Sequence, residues 1–304
     1  MKNKFELNAD ISVSSYNEIN VDNNILVTSI ADANKVFNNM ENIGDIIISE
    51  SGVYHITGGD KNINVTIKSG IEVEVVEVNK STTENFVSRV DLTVENNAKV
   101  TYLVIDNNMS AYNYRNASVL EGAHLDLHVV GFNKKYNENK IEINLDEVNA
   151  SGNLKLITVA NNETHSIYET RINNNAKKTS ADIWQKAVVK NGGSIDFLAT
   201  GFIKKGADDA SNYQESRVLL LDKASLGNAS PLLLIDHYNV VAGHAAGVSR
   251  VSEADLYYLQ SRGIDKVNAE HLMTLAFIKP LVDLISDEEI KTFVEEQIEV
   301  IIFG

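Results

Sequence analysis

A pair of turn-forming or small residues followed by an alternating apolar run recurs through the first two thirds of the chain. Ser69-Gly70 precedes Ile71, Val73 and Val75; Asn97-Ala98 precedes Val100, Tyr102 and Val104; Gly122-Ala123 precedes Leu125, Leu127 and Val129. Ser151-Gly152 precedes Leu154 and Leu156, Asn175-Ala176 a weaker run ending at Ile183 and Trp184, and Gly192-Gly193 precedes Ile195 and Phe197. The small residues at 70, 98, 123, 152, 176 and 193 are 28, 25, 29, 24 and 17 positions apart. Alternation with period two marks strands with one buried face. Gly, Asn and Ser before each run supply the turns. A strand unit repeated every two dozen residues cannot bury its apolar face alone and does so by lying on the next copy. The pattern favours a right-handed parallel β-helix, a single-stranded solenoid. A β-sandwich is the structural alternative, because it also has short strands at regular turns.

Only two prolines occur, Pro231 and Pro280, so no proline-rich linker divides the chain. The texture changes near residue 250. The expected layout is a short N-terminal segment or cap over 1–45, a β-helix core over 46–250 and a C-terminal helical subdomain over 251–304. Ala31 to Met40 read as one short helix that would cover an open end of the stack. In the tail, Ser252 is an N-cap with Asp255 three residues on, and Gly263 stands where a helix ends. Asp265 opens a second helix running to about Pro280. Ser286-Asp287-Glu288-Glu289 reads as a capping box for a third, whose Phe293, Val294, Ile298 and Ile301 form one apolar stripe.

The chain carries 42 acidic and 27 basic residues, a formal net charge of −15. That field repels phosphate backbones and anionic membrane surfaces, so neither nucleic acid nor membrane is an expected partner. There is no cysteine, which excludes disulfides, thiolate nucleophiles and any cysteine-ligated zinc or iron–sulfur site built by this chain alone. Met1 to Asn8 turn polar at once, without the apolar core of a signal peptide, and no window approaches the roughly 18 apolar residues of a bilayer span. A cytoplasmic location is expected. No Gly-x-x-x-x-Gly-Lys loop is present, so any ATP must be handled by a partner.

The segment from Pro231 onward resembles the SufB/SufD family of the SUF iron–sulfur cluster assembly system. The resemblance rests on Pro231 to Ile235, Asn239-Val-Val-Ala-Gly-His244-Ala-Ala-Gly247, and Leu256-Tyr-Tyr-Leu-Gln-Ser-Arg-Gly-Ile264. Upstream, His165 and Ser216 to Ala224 resemble further family elements, so 165–285 match well and 1–164 only in texture. The chain departs from the family in its shorter N-terminal region, in the turn reading His244-Ala245-Ala246, and in Ala242, where some relatives place a cysteine. Ala269-Glu270 stand in reverse order. Lacking thiols, the chain matches the SufD side of the family.

The resemblance implies a non-catalytic scaffold that pairs with a SufB-like subunit through its β-helix and binds a SufC-like ABC ATPase through its C-terminal helices. Nucleotide-driven ATPase dimerisation would then strain the scaffold interface and expose buried ligands. No tightly bound cofactor is implied, only a transient iron–sulfur cluster shared with the partner. Two copies could also pair in isolation through matching edges. Competing readings are a polysaccharide-active β-helix enzyme and a homodimeric structural β-helix protein.

By the resemblance, His244 stands at the cluster and partner interface, and its imidazole is a borderline ligand for iron. The bland reading is a histidine hydrogen-bonded in the last coil. His237 is a second interface candidate, weighed against a simple turn residue. Leu256, Tyr257, Tyr258, Arg262 and Gly263 are the candidates for the ATPase interface, since aromatic and arginine residues anchor interfaces. His124 and His128, four apart, share one strand face that reads as solvated. His55, His165 and His271 have no companions for a metal. Glu72 and Glu74 read as a solvent face, and Asp208-Asp209 as a solvated acidic turn.

Overall fold

The computed structural model describes residues 5–6, 12–13, 17–21, 44–58, 61–82 and 86–304. Strands alternate between two parallel sheets. The nine-stranded sheet runs from Asn17–Val21 to Val240–Arg250, the eight-stranded one from Gly44–Ile48 to Leu226–Ile235. Within these two sheets each strand lies on the strand two before it in sequence, never on its immediate neighbour, which is the connectivity of a solenoid; the short strands Phe5–Glu6 and Ser12–Val13 form a separate antiparallel pair. One row shows the stacking: Val75, Tyr102, Leu127, Leu154, Ile183, Gln214 and His244 are paired in succession, each one coil above the last. The expected parallel β-solenoid is therefore the fold, and the sandwich alternative is set aside.

The uneven spacing of the sequence repeat has a simple origin. The runs after 70, 98, 123, 152 and 176 all enter the nine-stranded sheet, whereas Ser194–Ile203, after Gly192-Gly193, belongs to the eight-stranded one. The last interval of 17 thus crosses between sheets. The earlier strands of that second sheet, such as Ala111–Val119 and Tyr136–Leu145, carry so many asparagines and charges that they do not read as apolar runs. At the turns into the nine-stranded sheet, Gly70, Asn97, Gly122, Asn149, Lys178 and Asp209 all take positive φ. At Gly122 a glycine is needed twice over, because a Cβ would also come within 2.5 Å of Asn97 Oδ1 one coil below.

The solenoid lumen holds the main apolar core, from Ile48 to Leu220. The chain ends in three helices, α1 (Glu253–Ser261), α2 (Lys266–Val282) and α3 (Glu288–Phe303), and a second core lies outside the nine-stranded sheet under α2 and α3. There Leu103, Ile105, Val130, Phe132, Ile157 and Val159 meet Ile278, Leu281, Ile290, Phe293, Val294 and Ile298. Phe132 meets Phe293 edge to face at 6.2 Å. Ser252 and Asp265 cap α1 and α2 as their sequence predicts. The cap of α3 is Asp287, not Ser286: its carboxylate accepts from the backbone N–H groups of Glu289 and Ile290. Ser286 instead donates its hydroxyl to Glu74 Oε1 at 2.7 Å, so Glu74 ties the helical tail to the sheet rather than facing solvent alone. The helix expected over 31–40 lies outside the described residues. Within the stretch read as a cap, Asn17–Val21 pairs with Tyr54–Gly58 and begins the nine-stranded sheet.

Candidate functional site

The last coil of the solenoid has no coil above it. Leu226–Ile235 and Val240–Arg250 each pair along one edge only. These are 10- and 11-residue strands, long enough to present a full row of unpaired N–H and C=O groups on the other edge. Their inward residues, whose counterparts in the coil below are buried, are here open: the mouth of the lumen is formed by Gly227, Ala229, Pro231, Leu233 and Ile235 on one side and Ala242, His244, Ala246 and Val248 on the other. Leu226, Leu232, Ile235, Tyr238 and Val241 are exposed around it, Tyr238 fully. The end of the solenoid thus carries an apolar rim around two bare strand edges, a surface to which further strands can be added.

His244 sits in the middle of this mouth, on the lumen side of the terminal strand, exposed and directly above Gln214. His237 does not join it. Its Nε2 donates to Asp208 Oδ1 at 2.6 Å and its Nδ1 accepts from the Gly206 N–H at 3.3 Å, which fixes its tautomer and uses both nitrogens. Asp208 also pairs with Lys177 at 2.7 Å. Hydrogen bonds from Lys177 and His237 hold the Asp208 carboxyl below its usual range. His237 is thus a brace of the last turn; Asp208 is ion-paired with Lys177 and hydrogen-bonded by His237, and Asp209 accepts from Asn239.

The other proposed residues lie on α1. That helix buries no residue. Leu256 is half-buried, Tyr257 and Tyr258 are 75% and 56% exposed, and the Arg262 guanidinium stands 5.3 Å from the Tyr258 ring centroid. Gly263, at φ +88°, turns the chain from α1 toward α2. The helix therefore adds no buried residue to the core and leaves two tyrosines exposed on its surface.

The remaining histidines are structural. His124 bonds Ser151 and Asp126, and His165 bonds Asp196. His128 shares a strand face with His124, but that face is not solvated at its position: His128 is buried, and burial pushes its imidazole down to about 4. Sequence spacing placed the two on one side; only the covering by the tail buries one of them. Among the described residues no group of three or more His, Asp or Glu side chains is arranged to hold a metal, and no helix is long and apolar enough to cross a membrane. The exposed apolar rim was not legible in the sequence: Leu226 and Leu232 lie on the outward face above Ser194 and Thr200, and Ile235 on the lumen face above Ile203, a division that only the register reveals.

Residues 53–277 match the family described as SUF system FeS cluster assembly, SufBD core domain. The chain is 36% identical over 199 residues to the iron–sulfur cluster assembly protein SufD of Bacillus subtilis, covering 64% of this chain and 46% of that protein. It is 26% identical over 216 residues to a SufBD family protein of Mycobacterium bovis, covering 69% of this chain and 26% of that one. A SufBD family protein of Staphylococcus haemolyticus is 34% identical over 105 residues, covering 34% of this chain and 23% of that one. The match thus spans less than half the length of these curated relatives. Fold, matched span and identity together place the protein: the chain is a SufD-like member of the SufBD core-domain family.

Proposed function

We propose that the chain is a non-catalytic scaffold subunit of iron–sulfur cluster assembly. In this reading the bare end of the solenoid pairs with a SufB-like subunit, which supplies the thiolates this chain lacks. His244 contributes an imidazole to a cluster held transiently between the two. Helix α1, through Tyr257, Tyr258 and Arg262, docks a SufC-like ABC ATPase.

The observation that carries the reading is the uncovered last coil, with two long free strand edges and His244 at the mouth between them. A partner strand added to each edge would satisfy the unpaired backbone groups and bury the apolar rim in one step. The name of the Bacillus relative, an iron–sulfur cluster assembly protein, supports the same process.

The test is a native pull-down of the tagged chain from its own cells, in wild-type form and with Leu232→Asp plus Val241→Asp at the rim. Recovery of a cysteine-bearing SufB-like subunit and an ABC ATPase, with the SufB-like subunit lost from the rim variant, supports the reading. Recovery of neither overturns it, and a homodimer alone would assign the edge to self-association.

A further inference from the structure

The lumen beneath His244 holds four buried side-chain oxygens without a hydrogen-bond partner. In the coil below the mouth, Asn212 lies under Ala242, Gln214 under His244 and Ser216 under Ala246, and Gln185 lies one coil further in, under Ser216. All four are buried. The three amide nitrogens each donate at least once. Asn212 Nδ2 donates to Asn174 Oδ1 at 2.8 Å and to the Ile172 carbonyl at 3.3 Å. Gln214 Nε2 donates to the Leu232 carbonyl at 3.0 Å, and Gln185 Nε2 to Thr170 Oγ1 at 2.9 Å. The oxygens Asn212 Oδ1, Gln214 Oε1, Gln185 Oε1 and Ser216 Oγ have no partner. Buried acceptors without a donor bear a desolvation cost that nothing offsets, so a donor reaching this group is favoured.

One donor stands in register with it. Paired residues on adjacent parallel strands lie about 4.8 Å apart with side chains on the same face. His244 is paired with Gln214 in this way, and its same-face neighbours on the strand are Ala242 and Ala246, which leave room for the ring to turn inward. The Gln214 amide is pinned through its nitrogen to Leu232, so its oxygen is the end available to the ring. Gly201, across the lumen, keeps this spot clear: a Cβ there would lie 2.5 Å from Gln214 Nε2.

We propose that Gln214 is the positioning residue for His244: its amide oxygen accepts one ring N–H of the imidazole. That bond fixes the tautomer and leaves the lone pair of the other nitrogen directed out of the mouth, ready to act as a ligand. The proposal rests on the reading of His244 as the ligand at the partner interface, and it adds which residue orients it.

The experiment uses the purified full chain, labelled with ring-¹⁵N histidine, at alkaline pH where imidazole is neutral. His244→Asn assigns the signal among the seven histidines. Expected is a His244 ring N–H resonance protected from solvent exchange in the wild type, lost in Gln214→Leu and retained in Gln214→Glu, which keeps an acceptor at the same place. No protected resonance in the wild type, or one that survives Gln214→Leu in a folded chain, overturns the proposal. Should Gln214→Leu not fold, loss of the resonance in a folded Gln214→Glu overturns it instead, and its retention there supports it. The readout needs neither partner nor cluster, so it stands or fails separately from the pull-down.

Discussion

Arg115 Nη2 lies 3.1 Å from Glu77 Oε1 in the interior of the solenoid, joining strands of opposite sheets across the lumen. The same nitrogen reaches Asp106 Oδ1 at 3.3 Å, Asn79 Nδ2 donates to both carboxylates, and the Tyr102 hydroxyl donates to Glu77 Oε2 at 3.0 Å. Both carboxylates are fully buried. Burial, with Glu77 beside it, pushes the Tyr102 phenol well up. This is a charged clamp inside the lumen, and it ties three strands of two adjacent coils.

Removing Arg115 takes a buried cation away from two buried carboxylates. Loss of one partner of a buried ion pair costs about 3–5 kcal/mol, because the remaining charge is uncompensated. Arg115→Leu is expected to lower stability by that amount, or to unfold the chain, in urea denaturation followed by circular dichroism. A shift below about 1 kcal/mol would mean that the carboxylates take up protons instead.

Gly201 faces Asn212 and Gln214 with no room for a side chain; a Cβ there would collide with Asn212 Oδ1 and lie 2.5 Å from Gln214 Nε2. Overpacking at such a site costs about 1–3 kcal/mol. Gly201→Ala is expected to lower the thermal midpoint accordingly. An unchanged midpoint would show that the amides move aside freely.

His128 is buried under the tail and neutral; burial, then the nearby Lys155, holds its imidazole down to about 4 against an ordinary value near 6.5. In the unfolded chain it binds a proton more readily than in the folded one. Stability is therefore full above about pH 6.5 and declines as pH falls toward 4, by up to roughly 3 kcal/mol at the acid end. His128→Leu is expected to flatten this part of the stability–pH curve, measured by urea unfolding at a series of pH values. An unchanged slope would assign the acid sensitivity to other groups.

Tyr257 and Tyr258 project from a helix with no buried residue. Their joint replacement by alanine is expected to change stability by less than about 0.5 kcal/mol, since exposed substitutions away from packed features are nearly neutral. Capture of an ABC ATPase in the native pull-down should fall at least tenfold. Undiminished capture would move the ATPase contact off α1.

Period and local chemistry are written in neighbouring residues, and those parts of the molecule were legible. The alternation after Gly70, Ala98 and Gly122, the caps at Ser252 and Asp265, and the stripe from Phe293 to Ile298 all follow from spacing within one strand or helix. The family likeness, carried by Pro231 to Ile264, was legible for the same reason. The site was legible only in part: His244 stood out by its motif, while its place at an open mouth did not.

The sequence by itself determined that the chain is built of stacked parallel strands with a helical tail, because a buried face must repeat with the geometry of its own element. Only the tertiary structure decided which faces those strands share with water. His128 is buried because the tail covers it, the lumen row from Val75 ends exposed at His244 because no coil follows, and Glu77 and Arg115 meet across a lumen from positions 38 residues apart. Burial in a solenoid depends on the coil a full turn away and on what caps the stack, and neither is encoded in the spacing of adjacent residues.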